Sequence, residues 1–134
     1  MSNPFSNWLM TPPTKLELKK SMESDPNGIK PHEPGAKLDD GKICAFRGTF
    51  DYFPRALEQV AAVSTFGANK YSWGGWRSVP DGFERYSDAM VRHLIKERKG
   101  EAEDNDSGLL HATHTAWNAL ARLELMLQDG GTTI

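Results

Sequence analysis

The placement of proline constrains this chain most. Six of its eight prolines fall within residues 1–34, in turn-forming clusters such as Thr11-Pro-Pro-Thr14 and Asp25-Pro-Asn-Gly28. A ring that fixes φ and removes an amide donor keeps such a stretch out of helix and sheet interiors. Residues 1–34 therefore read as an extended arm. Four large apolar residues within it, Phe5, Trp8, Leu9 and Met10, are costly to leave in water and suit docking on another surface or a second copy.

The other two prolines stand next to helical patterns. After Pro54, the residues Leu57, Val60, Ala61, Ser64 and Ala68 recur at spacings of three and four, which predicts a helix ending near Gly67. The segment Lys70 to Pro80 is a loop by its glycines and proline. A second helix is predicted from Asp81 to Lys99, with Phe83, Tyr86, Met90 and Leu94 on one stripe and Gly100 as its stop. A third is predicted from Asp106 or Ser107, both good N-caps, to about Gln128. Between arm and helices, Cys44 to Phe53 alternates loosely and reads as a short strand or extended segment. The expected fold is mainly α: three principal helices with long loops behind an N-terminal arm, divided as residues 1–34 and 35–134. A chain of 134 residues buries a modest core, so amphipathic helices of this kind gain by pairing with another copy, and a helical homo-oligomer is expected.

Composition narrows the function. With 38% hydrophobic residues and a formal charge of −2, the chain lacks the basic excess of a duplex-binding domain, so an anion must be held by a local cluster. Cys44 is its one cysteine, which rules out an intramolecular disulfide and a multi-cysteine zinc site. No basic-then-apolar leader and no run of about 20 apolar residues is present, so a soluble protein of the cytoplasm is expected.

Several residue types suit phosphate and base chemistry. On the third predicted helix, His111, His114, Asn118, Ala121 and Leu125 share one stripe, because residues three and four apart face the same way. His93 lies toward the end of the second helix, beside Arg92. If those two helices run antiparallel across the Gly100–Asn105 loop, His93 and His111 meet near Asp104 and Asp106, where imidazoles and carboxylates can hold a divalent cation. On the first helix Glu58 is expected to point inward, between Leu57 and Val60. Lys37 and Lys42 flank a turn containing Asp39, where ammonium groups and backbone amides can hold phosphate oxygens. Tyr71, Trp73 and Trp76 sit among glycines in a loop; one tryptophan is expected to stack on a base and the other to cover a helix end or an interface.

Taken in order, Gly35-Ala-Lys-Leu-Asp-Asp-Gly-Lys42, Thr65-Phe-Gly-Ala-Asn-Lys-Tyr71, the aromatic turn to Trp76, Arg92-His93-Leu94 and Ser107-Gly-Leu-Leu-His-Ala-Thr-His-Thr-Ala-Trp-Asn-Ala-Leu120 resemble the phage dATP/dGTP diphosphohydrolase family at its N-terminal domain. The family is in turn similar to MazG-like nucleotide pyrophosphohydrolases. The resemblance implies metal-dependent hydrolysis of dATP or dGTP to monophosphate and pyrophosphate, with Mg²⁺ or Mn²⁺ as cofactor. It implies Glu58, Glu97, Asp104 and Asp106 as metal-ligand candidates, and Glu58, His93, His111 and His114 as catalytic ones. Lys37, Asp39, Lys42, Lys70, Tyr71, Trp73, Trp76, Arg92 and Asn118 would then contact the nucleotide. No predicted helix carries the Glu-x-x-Glu run expected of MazG-like enzymes. That scarcity of paired carboxylates also fits a non-catalytic protein that sequesters a nucleotide-derived immune signal, such as a cyclic nucleotide or an ADP-ribose-type molecule. A third reading is an interaction module with structural histidines.

Overall fold

The computed structural model describes residues 23–130, so the arm's Phe5, Trp8, Leu9 and Met10 lie outside the described residues. Within that range the chain forms two compact units, divided between Tyr52 and Phe53. Secondary structure is helical, and the described residues contain no strand longer than an isolated bridge. No helix among them is long and apolar enough to cross a membrane.

The 23–52 unit is built from turns around one carboxylate. Asp25, only 8% exposed, accepts hydrogen bonds from the backbone amides of Asn27 (2.7 Å), Ile29 (3.4 Å) and Lys37 (2.8 Å). The Lys37 amide is the largest cause that holds the Asp25 carboxyl below its ordinary value, against the opposing effect of burial. Gly28, in the first of these turns, has φ 77°, a backbone that L residues with a Cβ rarely adopt. Within the glycine-flanked basic segment, Lys42 Nζ pairs with Glu23 at 2.9 Å, and the Asp40 amide donates to the Ser24 carbonyl.

Residues Cys44 to Phe53 are not extended. They carry a π-helical turn, Arg47–Asp51. The Gly48 amide reaches the Cys44 carbonyl at 2.8 Å, and the Thr49 hydroxyl donates to Ala45 O. Phe46 and Phe50, four residues apart, stack with centroids 5.6 Å apart. The aromatics that suggested alternation therefore satisfy a helical spacing, and local bonds use the donors a ladder would need.

The 53–130 unit holds three α-helices: α1, Pro54–Lys70; α2, Gly82–Arg98; and α3, His111–Gly130. Pro54 occupies the first turn of α1, where its missing amide costs nothing. A 3₁₀ turn, Gly75–Ser78, interrupts the loop before α2. Gly100, at φ 97°, ends α2 as expected, with its amide on Glu97 O and the Glu101 amide on Lys96 O. Helices α2 and α3 run antiparallel: His93 meets His111 across the connecting loop, while at the other end a Cβ on Gly82 would lie 3.2 Å from Leu125 Cδ1. Arg122 ties them midway, donating from Nε to Ser87 Oγ at 2.6 Å and lying over the Phe83 ring.

Helix α3 starts at His111, four or five residues later than the cap residues predict. Asp104, rather than Asp106 or Ser107, controls the turn: its Oδ2 accepts from the amide and hydroxyl of Ser107, both at 3.0 Å. Gly108 closes this turn on the Asp104 carbonyl, and a bridge pairs Glu103 with Leu110. The His111 amide is thereby taken by Ala102 O at 2.9 Å.

The interior is polar. Val63, Ala121 and Met126 are the buried apolar residues of this unit, against His111, Thr113, His114 and Asn118 among polar ones. The stripe read from α3 is thus its buried face, and its centre is imidazole and amide rather than hydrocarbon.

Candidate functional site

The packing of α2 on α3 brings three histidines together. Nδ1 of His93 lies 2.8 Å from Nδ1 of His111, and the His93 ring stacks on His114 with centroids 4.5 Å apart and planes 9° from parallel. Ligand atoms of His93, His111 and Asp104 all lie within 4.8 Å of one another. Two ring nitrogens bound to one cation at about 2.1 Å and at right angles stand roughly 3 Å apart, so the observed spacing suits a shared cation as well as a hydrogen bond. Nε2 of His111 is, among the described residues, the single buried side-chain polar atom without a hydrogen-bond partner.

Electrostatics favours the ligating forms. Burial, helped by the neighbouring His114 and His111 rings, pushes His93 down to about 4. Burial also lowers His114, with the Asp104 carboxylate opposing. For Asp104 burial acts upward, but the Ser107 amide and hydroxyl outweigh it and keep the carboxyl below its ordinary value. At neutral pH His93 and His114 are therefore neutral imidazoles and Asp104 an ionised carboxylate, the forms that a divalent cation requires. A donor set of two nitrogens and one oxygen fits Mn²⁺, Co²⁺ or Zn²⁺ better than Mg²⁺.

Ser107 organises the same corner. Its hydroxyl lies 3.0 Å from Asp104 Oδ2 and 2.7 Å from His114 Nε2, and it accepts the Leu109 amide at 3.2 Å. With one proton to give, the hydroxyl donates to the carboxylate and accepts from His114 Nε2–H, an assignment made from the bonding pattern.

From His93 and His114 a cleft of about 1060 Å³ opens between α1, α2 and the Lys70–Pro80 loop. One wall is aromatic: Trp76, Tyr86 and Trp117 meet edge to face at centroid distances of 5.6–6.2 Å, and the Tyr86 hydroxyl donates to Trp76 O. The Trp117 indole donates to Ser64 on α1. Tyr71 and Trp73 line the mouth almost bare, 77% and 73% exposed. Lys70, Arg77, Arg85 and Arg92 also line the cleft, against one carboxylate, Asp88.

A match to known proteins covers most of this architecture. Residues 32–133 match the family described as dATP/dGTP diphosphohydrolase, N-terminal. The chain belongs to this family. A Salmonella phage PMBT28 protein named dATP/dGTP diphosphohydrolase is 38% identical over 82 residues, 61% of this chain and 26% of that protein. The match thus spans about a quarter of that relative's length. No solved structure matches.

The site residues expected from sequence divide into those that this family domain gathers and those that it does not. His93, Asp104, His111 and His114 come together, and Lys70, Tyr71, Trp73, Trp76, Arg92 and Asn118 line the cleft. The Asn118 side chain, however, is only 5% exposed overall and donates to the His114 carbonyl. Glu58 is exposed rather than inward, because Val63, the buried residue of α1, stands five residues on and so about 140° round the helix at roughly 3.6 residues per turn. Glu97 is exposed outside the ligand group, and Asp106 is engaged by Lys70 Nζ at 2.7 Å. Lys37, Asp39 and Lys42 belong to the 23–52 unit, where the Lys42 ammonium is paired with Glu23.

Arg77, Arg85 and Asp88 line the cleft without belonging to the residues expected from sequence. For Arg85 a signal existed: it stands seven residues before Arg92 on the same face of α2, with the small Ala89 between them. Arg77 offered none beyond its place beside Trp76.

Proposed function

We propose that this domain binds a purine deoxynucleoside triphosphate in the cleft and hydrolyses it to the monophosphate and pyrophosphate, with a divalent cation held by His93, Asp104 and His111. The observation that carries the reading is one space lined by exposed Tyr71 and Trp73, by four cationic side chains, and by His93 and His114 at its inner end. Trp73 stacks on the base; Trp76, locked against Tyr86 and Trp117, supports the wall. The Arg85–Arg92 pair, separated by roughly 10 Å along α2 at 1.5 Å per residue, takes the phosphate chain with Arg77, and Lys70 joins them by exchanging Asp106 for a phosphate oxygen. A bound cation supplies charge neutralisation on phosphate and a more acidic water. His114, neutral at the cleft wall and fixed by Ser107, accepts the proton of the water that adds across the α–β phosphate bridge.

Self-association belongs to the same proposal. Val91 and Ile95 on α2 and Leu120 and Leu123 on α3 are 47–53% exposed, while the apolar core is small, so a second copy is the natural cover. Sedimentation velocity measures it directly.

One observation favours a second reading. Asp88 is the one carboxylate lining the cleft, which suits retention of an intact anion as well as its hydrolysis. Incubating the chain with dATP, dGTP, cyclic nucleotides and ADP-ribose-type molecules in Mn²⁺, with chromatography before and after heat denaturation, separates the two. Appearance of monophosphate and pyrophosphate supports the hydrolase; depletion of a ligand that heating returns unchanged supports the binder and sinks the hydrolase.

A further inference from the structure

We infer that Glu101 is a positioning residue for the cation site: it accepts a hydrogen bond from His111 Nε2–H and so sets the His111 tautomer that presents Nδ1 to the cation. This rests on the cation reading above and extends it to a residue that touches a ligand rather than the cation.

The facing Nδ1 atoms of His93 and His111, 2.8 Å apart, allow two arrangements. With one proton between them they form a hydrogen bond, in which one ring donates and the other accepts. With a cation between them, both atoms must offer lone pairs, so each neutral ring carries its proton on Nε2 instead. For His93, which lines the cleft, that proton has an open side to face. For His111 it does not. The residue is 1% exposed, and its Nε2 has no hydrogen-bond partner.

The group placed to answer that need is Glu101, whose Oε2 lies 3.7 Å from His111 Nε2. Its side chain is 48% exposed and sits on the short connection between α2 and α3, where solvent leaves it room to turn toward Nε2. Imidazoles that bind cations commonly donate their second N–H to a carboxylate, which fixes ring orientation and raises ligand basicity. Glu101 has the residue type, position and freedom for that task.

The inference predicts how Mn²⁺ affinity responds to three substitutions in the complete chain, measured by calorimetry or electron paramagnetic resonance. Glu101→Ala weakens Mn²⁺ binding by about 10–100-fold, the usual cost of removing such a partner. Glu101→Gln, whose amide oxygen still accepts the Nε2 proton, retains most of the affinity. Glu103→Ala, which removes an equal charge two residues away, leaves binding unchanged. Equal binding by Glu101→Ala and wild type overturns the inference while leaving the cation site intact. A Gln variant as weak as the Ala variant overturns it too, since carboxylate charge rather than proton acceptance would then be at work. Absence of Mn²⁺ binding by the wild-type chain removes the cation reading itself.

Discussion

The two ends of the cleft are made differently. At the inner end His93 and His114 are stacked, and behind them, outside the cleft lining, His111 is enclosed and Asp104 and Ser107 hold each other through two hydrogen bonds at 3.0 Å. At the mouth Tyr71 and Trp73 keep most of their rings in solvent, on a loop whose Gly74 takes φ 72°. One end holds its atoms with small tolerance, which the proposed hydrolysis would demand. The other offers flat surfaces that any purine can meet, because stacking reads ring faces rather than hydrogen-bond edges. On the proposed function, positioning is concentrated where side chains are buried, and recognition where they are not.

The sharpest way to break this division is at the inner end. His93→Ala, or chelation of divalent ions, should abolish turnover of dGTP while nucleotide still binds at the mouth; equal turnover with EDTA present would remove the cation from the proposal. Next in size is Trp73→Ala. Loss of one stacking surface should raise KM for purine triphosphates by about 5–150-fold, equivalent to about 1–3 kcal/mol, with little change in thermal stability. A Trp73→Ala protein with lower Tm and unchanged KM would make that ring structural instead.

Ser107→Ala acts on the other side of the comparison. It leaves Asp104 and His114 without their shared hydroxyl, and should cost about 1–3 kcal/mol of stability in a thermal melt, with Ser107→Thr recovering part of it. The smallest effect lies outside the cleft. Asp25, whose carboxyl is held below its ordinary 3.8, contributes stability that is present above that value and lost as pH falls through the lower folded value. Wild type should therefore exceed Asp25→Asn in stability near neutral pH, with the gap closing on acidification; a constant gap would show that the carboxylate charge is not what the three amides hold.

The sequence made the inner end more legible than the mouth. Spacings of three and four placed His111, His114, Asn118 and Ala121 on one buried face, and Gly100 marked the end of α2, so the antiparallel approach of His93 followed. The start of α3 was less readable because Asp104 uses Ser107 in a turn of its own, and cap residues serve turns and helices alike. Glu58 misled for another reason: periodicity identifies an apolar stripe but does not say how far its flanks are covered, and in α1 only Val63 is buried. In the loop before α2, neighbours in sequence do not fix neighbours in space, so Arg77 could not be assigned to the cleft from its place beside Trp76. The Cys44–Phe53 segment shows the same limit in small: Phe46 and Phe50 serve alternation and helical spacing equally, and local hydrogen bonds decide.

The contrast between the locked Trp76–Tyr86–Trp117 triangle and the bare ring of Trp73 has an optical consequence. Indoles in contact with other rings and shielded from water emit at shorter wavelength than one facing solvent, so Trp73 should dominate the red edge of the tryptophan emission from this unit. A base laid on that ring would quench the red component and leave the blue one nearly untouched. In a Trp8→Phe chain, which keeps only Trp73, Trp76 and Trp117, the cleft thus carries its own dye, and occupancy of the proposed site can be followed by the colour of that fluorescence.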